Sequence, residues 1–146
     1  RSRQGSIRSP QWRGGGRAHA KKPRDYSYKL NQKVVSLGLK TALSDKYRRG
    51  ALVVLEDMSL ERHKTSELLA KLAALGIDSQ RHKVLLVSSN EPDGPGQVNV
   101  LLAAANAACV SHAPARHANV YDLVRHSVLL LDSAALADLE RRFTHP

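Results

Sequence analysis

Lys83-Val-Leu-Leu-Val-Ser88 contains a continuous apolar run, which follows the charged residue Lys83 and ends before the hydroxyl residue Ser88. A short run of this composition predicts a strand that is buried on both faces, as in a parallel sheet. Ala51-Leu-Val-Val-Leu-Glu56 has the same character and predicts a second strand buried on both faces. Two shorter apolar runs, over 108–112 and 128–131, predict two further strands.

Helical patterns separate these runs, and we predict helices over 32–48, 65–75, 98–107, 120–125 and 133–142. Asn31 and Ser133 are expected to cap the first and last helices, and Gly50 and Gly76 to end the first two. The composition of 90–96 predicts a loop. The inward side chains of the second and last helices are predicted to be Leu68, Leu69, Leu72, Leu75, Leu136 and Leu139.

The alternation of helices and buried strands predicts an α/β fold. We expect three layers, α/β/α, around a mainly parallel sheet of about four strands, with helices on both faces. We find no internal repeat. The 146 residues are enough for about one domain.

Positive charge is concentrated at one end of the chain. Residues 1–50 contain 14 Lys and Arg against Asp25 and Asp45, whereas residues 51–146 contain 9 basic and 11 acidic residues. The net charge of +10 is therefore the sum of +12 and −2. Residues 1–30 are rich in Gly, Ser, Pro and Arg and lack apolar periodicity, which predicts an extended basic arm joined to a globular domain over 31–146.

The arm interleaves cations with aromatic side chains. Cations neutralise phosphates, and the planes of Trp, Tyr and Arg stack on unpaired bases, so this pattern favours RNA binding. Gly14, Gly15 and Gly16 allow a tight turn or a close approach to another surface. The predicted RNA-binding residues, including a continuation onto the first helix, are Arg1, Arg3, Arg8, Trp12, Arg13, Arg17, His19, Lys21, Lys22, Arg24, Tyr26, Tyr28, Lys29, Lys33 and Lys40. Lys46, Arg48 and Arg49 are expected to extend the same basic strip.

Catalytic alternatives find little support in the sequence. Glu56 and Asp57 follow a predicted strand and could act as acid and base or hold Mg²⁺, but no partner base is placed by spacing. Ser88 and Ser89 lie in no nucleophile elbow. The seven histidines show no metal-ligand spacing, and the glycine triplet follows no strand. We therefore predict no enzyme, no metal and no cofactor, with a small α/β enzyme and a free RNA-binding regulator as the alternatives.

Other sequence features narrow the class of protein. The single cysteine, Cys109, excludes an intrachain disulfide and lies in an apolar run, as expected of a small buried side chain. No apolar run approaches the ~20 residues that cross a membrane, so no membrane partner is predicted. The first residue is Arg rather than Met, and we expect the natural N-terminus to lie upstream.

Two segments of the arm resemble one protein family closely. They are Arg3-Gln-Gly-Ser-Ile-Arg-Ser-Pro-Gln-Trp-Arg-Gly-Gly-Gly16 and Lys22-Pro-Arg-Asp-Tyr-Ser-Tyr-Lys-Leu30. Asn119-Val-Tyr-Asp-Leu-Val-Arg-His126 continues the resemblance into the body. The family is the bacterial-type large-subunit ribosomal protein number four, and the resemblance extends over nearly the whole chain. One departure is Arg17-Ala-His-Ala-Lys21, where the family has an apolar Gly-Pro stretch.

The resemblance implies a structural, non-catalytic role. It implies an α/β/α body on the large ribosomal subunit, and an arm that is the C-terminal half of a long loop directed through ribosomal RNA toward the nascent-peptide exit tunnel. It implies large-subunit ribosomal RNA and neighbouring ribosomal proteins as partners, with no small-molecule substrate and no homo-oligomer. The bacterial-type sequence is compatible with a bacterium, a plastid or a mitochondrion, and the idiosyncratic substitutions favour the mitochondrial matrix.

Overall fold

The computed structural model describes residues 5–89 and 95–144. Its helices are α1 (Gln32–Arg48), α2 (Thr65–Ala74), α3 (Pro95–Ala105), α4 (Val120–Arg125) and α5 (Ser133–Thr144). Its strands are β1 (Leu52–Leu55), β2 (Val84–Ser88), β3 (Val110–Pro114) and β4 (Val128–Asp132), and a single 3₁₀ turn covers Ala115–His117. The predicted alternation of helices and strands is confirmed.

The four strands form one parallel sheet in the order β1-β4-β2-β3. β2 and β4 occupy the centre, with Val84 beside Val128 and Leu86 beside Leu130. The prediction that β1 is buried on both faces is wrong, because β1 is an edge strand and Val54 remains 45% exposed. An edge strand has a neighbour on one side only, so its side chains are less completely covered.

Successive residues of the central strands point alternately to the two faces of the sheet. They belong to two apolar clusters, one on each face. On one face, Leu86 and Leu130 pack with Leu72 of α2 and Ala103 of α3. On the other face, α1, α4 and α5 contribute the buried side chains, which are Leu39, Leu123, Ala135 and Leu139. The three-layer α/β/α architecture is therefore confirmed.

Several element boundaries differ from the prediction. α3 begins at Pro95, inside the predicted loop, because proline is favourable in the first turn of a helix. The rest of that loop, residues 90–94, lies outside the described residues. β3 begins at Val110, two residues later than predicted, and α5 continues to Thr144.

Predicted caps and inward side chains are corrected at four positions. Asn31 occupies the cap position of α1, but its side chain makes no capping hydrogen bond. The Ser133 hydroxyl donates instead to the carbonyl oxygen of Glu56 at 2.9 Å, which ties the start of α5 to the end of β1. Leu75 and Leu136 are 46% and 37% exposed rather than inward, since each lies at the margin of the stripe that faces the sheet.

Candidate nucleic-acid interface

A closed loop occupies the first described part of the basic segment. Within the described residues, 5–31 contains no helix and no strand, but residues 6–16 form consecutive turns. The Trp12 N–H donates to Ser9 O at 3.0 Å, and the Gly15 N–H donates to Trp12 O at 3.0 Å. The Gly16 N–H then reaches back to Arg8 O at 2.7 Å and closes the loop.

The glycine triplet makes this closure sterically possible. Gly14 has a φ of +75°, which favours glycine. A Cβ on Gly15 would lie 2.0 Å from the carbonyl oxygen of Ser9, far inside van der Waals contact. The backbone therefore approaches itself at a place where no side chain fits. Arg8 and Arg13, together with the half-exposed ring of Trp12, are held on a loop of fixed shape.

We expect Gly15→Val to weaken RNA binding by roughly tenfold. The added side chain would open the loop. Binding to RNA would then have to order about one further residue, which costs ~1–2 kcal/mol of conformational entropy. Gly5→Val is the matched control, because no atom lies within 4 Å of its added Cβ. Filter binding to large-subunit ribosomal RNA measures both variants. Equal affinity of Gly15→Val and the unmodified chain would contradict a role for the loop shape.

The second part of the segment, residues 17–31, is extended and exposed. His19 adopts a left-handed conformation with a φ of +52°, within the stretch where the sequence departs from the family pattern. The Arg24 guanidinium lies 4.2 Å from the centroid of the Tyr26 ring, and the ring itself is 73% exposed. This stacked pair presents a cation and an aromatic face together, which is the chemistry that binds a phosphate and an unpaired base.

Asp25 is the one acid between residues 5 and 31, and its carboxylate is occupied locally. It accepts hydrogen bonds from the Ser27 N–H and the Ser27 hydroxyl, each at 2.8 Å. The backbone bond, followed by the hydroxyl bond, lowers the pKa of Asp25 below its ordinary value of 3.8. The carboxylate therefore shapes a turn. The same segment contains seven basic residues: Arg8, Arg13, Arg17, Lys21, Lys22, Arg24 and Lys29.

The described residues of the predicted site are exposed, both along the segment and on α1. Arg1 and Arg3 lie outside the described residues. Six further predicted residues are exposed along the extended stretch. They are Arg17, His19, Lys21, Lys22, Tyr28 and Lys29. Lys33 and Lys40 are exposed on α1, and the Lys40 ammonium lies 5.5 Å from the centroid of the Phe143 ring.

Lys46 is not part of the basic strip, contrary to the sequence prediction. Its side chain is buried, with 6% of the residue exposed, and its ammonium donates to the carbonyl oxygens of His126 and Ser127. His126 is the C-cap of α4, where carbonyl groups lack partners within the helix. Lys46 therefore fastens the end of α1 to the end of α4. Its spacing from Leu39, seven residues earlier, is the sequence signal for an inward position.

The carboxyl edge of the sheet carries the polar groups on which a catalytic alternative would depend. Ser88 Oγ lies 2.9 Å from His112 Nε2, and Gln97 Nε2 donates to Asp132 Oδ2 at 3.3 Å. Either the serine or the imidazole donates in this pair, according to the histidine tautomer, and the Ser88 hydroxyl also lies 3.3 Å from Ser89 O.

This histidine gives the fold a predictable response to acid. Burial lowers the pKa of His112 below its ordinary value of 6.5. The unfolded chain therefore takes up a proton at higher pH than the folded chain does, and the free energy of unfolding falls as the pH drops below about 6.5. In urea titrations from pH 7.5 to 5, His112→Asn should lose that part of the decline. His82→Asn, at an exposed position, is the control. An unchanged decline in His112→Asn would contradict the assignment.

The remaining strand-end acids are Glu56 and Asp57, and an apolar cavity lies beside Asp57. Asp57 accepts from the Ser59 hydroxyl at 2.6 Å, and Glu56 is exposed. A cavity of about 320 Å³ beside β1 and α2 is lined mainly by leucines, with Asp57 and Lys71 among its lining residues.

Across residues 5–89 and 95–144, no three His, Cys, Asp or Glu side chains are grouped closely enough to hold a metal ion. No helix in the same part of the chain is long and apolar enough to span a bilayer.

Comparison with known proteins finds one family. A family model described as the ribosomal protein L4/L1 family matches residues 1–142. The large ribosomal subunit protein uL4 of Natranaerobius thermophilus is 40% identical over 143 residues, which are 98% of this chain and 65% of that protein. The uL4 protein of Brevibacillus brevis is 44% identical over 140 residues, covering 96% of this chain and 64% of its own length. The chain therefore spans just under two thirds of the length of these relatives.

Proposed function

The chain belongs to the ribosomal protein L4/L1 family, and from that premise we propose that it is a structural constituent of the large ribosomal subunit. In this role it binds and neutralises large-subunit ribosomal RNA and contacts neighbouring ribosomal proteins. The uL4 relatives are named as proteins of that subunit. The proposed role is non-enzymatic.

One observation carries this proposal. The described segment 5–31 has seven basic residues against one acid, and that acid is held in a local turn. The segment has no hydrogen-bonded ladder or apolar core of its own beyond the closed loop, and nearly all its side chains are exposed. Such a segment gains little by folding on a protein body, whereas phosphates supply the opposite charge that it lacks.

The proposal divides the chain into an arm over 1–30 and a globular domain over 31–146. The arm residues predicted from the sequence make the RNA contacts, and the arm points toward the nascent-peptide exit tunnel. The ribosome is proposed to be mitochondrial, on the strength of substitutions such as those at 17–21, with a bacterium or plastid as the alternative. The bacterial relatives support the bacterial type of the sequence in each case.

Sedimentation tests the proposed function. Lysate, or organelle lysate, is run on sucrose gradients with and without a high-salt wash, and the chain is located with an antibody. Co-migration with large subunits after the wash is the expected result, because many phosphate contacts are released together only with difficulty. A slowly sedimenting pool at both salt concentrations would refute the proposal and would favour a free RNA-binding regulator or an enzyme.

A further inference from the structure

Helix α3 carries apolar side chains on both of its faces. Val100, Ala103 and Ala104 point inward and are buried against the sheet. Val98, Leu101 and Leu102 point outward and are 43%, 47% and 50% exposed. With the exposed Ala105, they repeat at i, i+3, i+4 and i+7 and form one stripe, here called the outer stripe. A helix that is apolar all round is typical of one covered on both sides.

The helix that carries the outer stripe, and the chain that follows it, lack charge. Residues 95–115 contain no Lys, Arg, Asp or Glu, in a chain of which 25% is charged. The opposite helical layer is basic, because α1, the 3₁₀ turn, α4 and α5 with Arg49 hold nine basic and four acidic residues. RNA is bound by neutralising phosphates, and α3 offers no cation to do so. A strongly charged protein surface would be equally mismatched.

We propose that the outer stripe is the docking site for another protein of the large subunit, and that this partner presents an uncharged apolar helix or segment. The inference rests on the proposed ribosomal function. The i, i+3, i+4, i+7 spacing of Leu101 and its neighbours provides the ridge that packs into a groove between apolar side chains. The charge-free sequence of α3, continued as far as residue 115, allows a partner to approach the stripe without burying an unpaired charge of this helix.

The size of the stripe distinguishes this partner from a second copy of the chain. A stable interface buries about 800 Å² on each side, which three half-exposed aliphatic side chains do not supply. The stripe alone therefore does not hold a homodimer together. It suits a partner that the ribosomal RNA already holds nearby, so that a small apolar contact is made at high effective concentration.

Photo-cross-linking in assembled subunits tests the proposal. The photoreactive amino acid p-benzoylphenylalanine replaces Leu101, and salt-washed large subunits are irradiated and analysed by mass spectrometry. The expected product joins position 101 to a peptide of a different ribosomal protein that is apolar and lacks charge at the contact. The same amino acid in place of Ser66, an exposed position on α2, is the control. Cross-linking of position 101 to RNA, to this chain or to nothing would overturn the proposal.

A substitution provides a second measurement. Leu101→Gln should lower the yield of the partner's cross-link from p-benzoylphenylalanine at Leu102, on the same stripe, by about tenfold, the effect of losing one well-packed apolar anchor. Leu75→Gln, the same substitution at the 46% exposed C-cap residue of α2, should leave this yield unchanged. If unmodified chain fails to enter large subunits, the proposed function itself fails. If it enters and the cross-link yield from position 102 is equal in both variants, only the docking site is refuted.

Discussion

Replacing Arg8, Arg13 and Arg24 together by glutamine should weaken binding to large-subunit ribosomal RNA by about two orders of magnitude near 0.1 M salt. Each phosphate contact that releases counterions contributes about 0.7–0.9 to the slope of log K against log salt. Three lost contacts should therefore reduce the slope by about two to three units. All three residues are exposed, and none forms an ion pair within the described part of the chain.

The matched control for this variant removes the same charge elsewhere. Arg62, Arg81 and Arg141 are exposed residues outside the predicted RNA-binding set, and Arg81 and Arg141 each lie 3.5 Å from an aspartate. Their triple replacement by glutamine should change the slope by less than one unit, because all three lie outside the basic segment and the charges of Arg81 and Arg141 are already partly neutralised. Filter binding across a salt series measures both variants. Equal slopes for the two would remove the arm from the interface.

The sequence predicted the elements of the fold better than their arrangement. Lys83–Ser88 contains a central strand because its apolar residues alternate between two buried faces. Leu52–Leu55 has nearly the same composition but lies at the edge of the sheet. The difference arises from strand order, which depends on how distant helices cover the sheet. Local composition does not contain that information.

The candidate site, like the fold, was predicted from the sequence only in part. Composition and charge identified the segment, and the glycine triplet indicated a close backbone approach. The atoms approached, Ser9 O and Arg8 O, belong to the segment itself and could not be inferred without the turn geometry. Lys46 was misassigned because charge in the last turn of a helix is ordinarily solvated. Its burial depends on the carbonyl oxygens of a helix that begins 74 residues later.

Lys46→Met should lower the free energy of unfolding by about 2 kcal/mol and the melting temperature by roughly 5–10 °C. Methionine fills similar space, but it leaves the His126 and Ser127 carbonyl oxygens without their charged donor, and hydrogen bonds to charged groups contribute ~1.5–3 kcal/mol. Part of this loss is offset because the buried ammonium no longer has to be desolvated. Lys33→Met, the same change at an exposed position of α1, should alter stability by less than ~0.5 kcal/mol.

The pH dependence of the same comparison separates the charge of Lys46 from its packing. Burial, and then the nearby Arg49, lower the pKa of Lys46 below its ordinary value of 10.5, although Asp45 opposes the shift. Between the folded and unfolded pKa values the unfolded chain binds more protons, so the unmodified chain gains stability as the pH rises through that window. Lys46→Met lacks this gain, and the stability difference between the two chains should widen toward pH 10.5. A difference that stays constant would show that the ammonium is solvated in the folded protein, and one that narrows would show that its hydrogen bonds raise its pKa instead of burial lowering it.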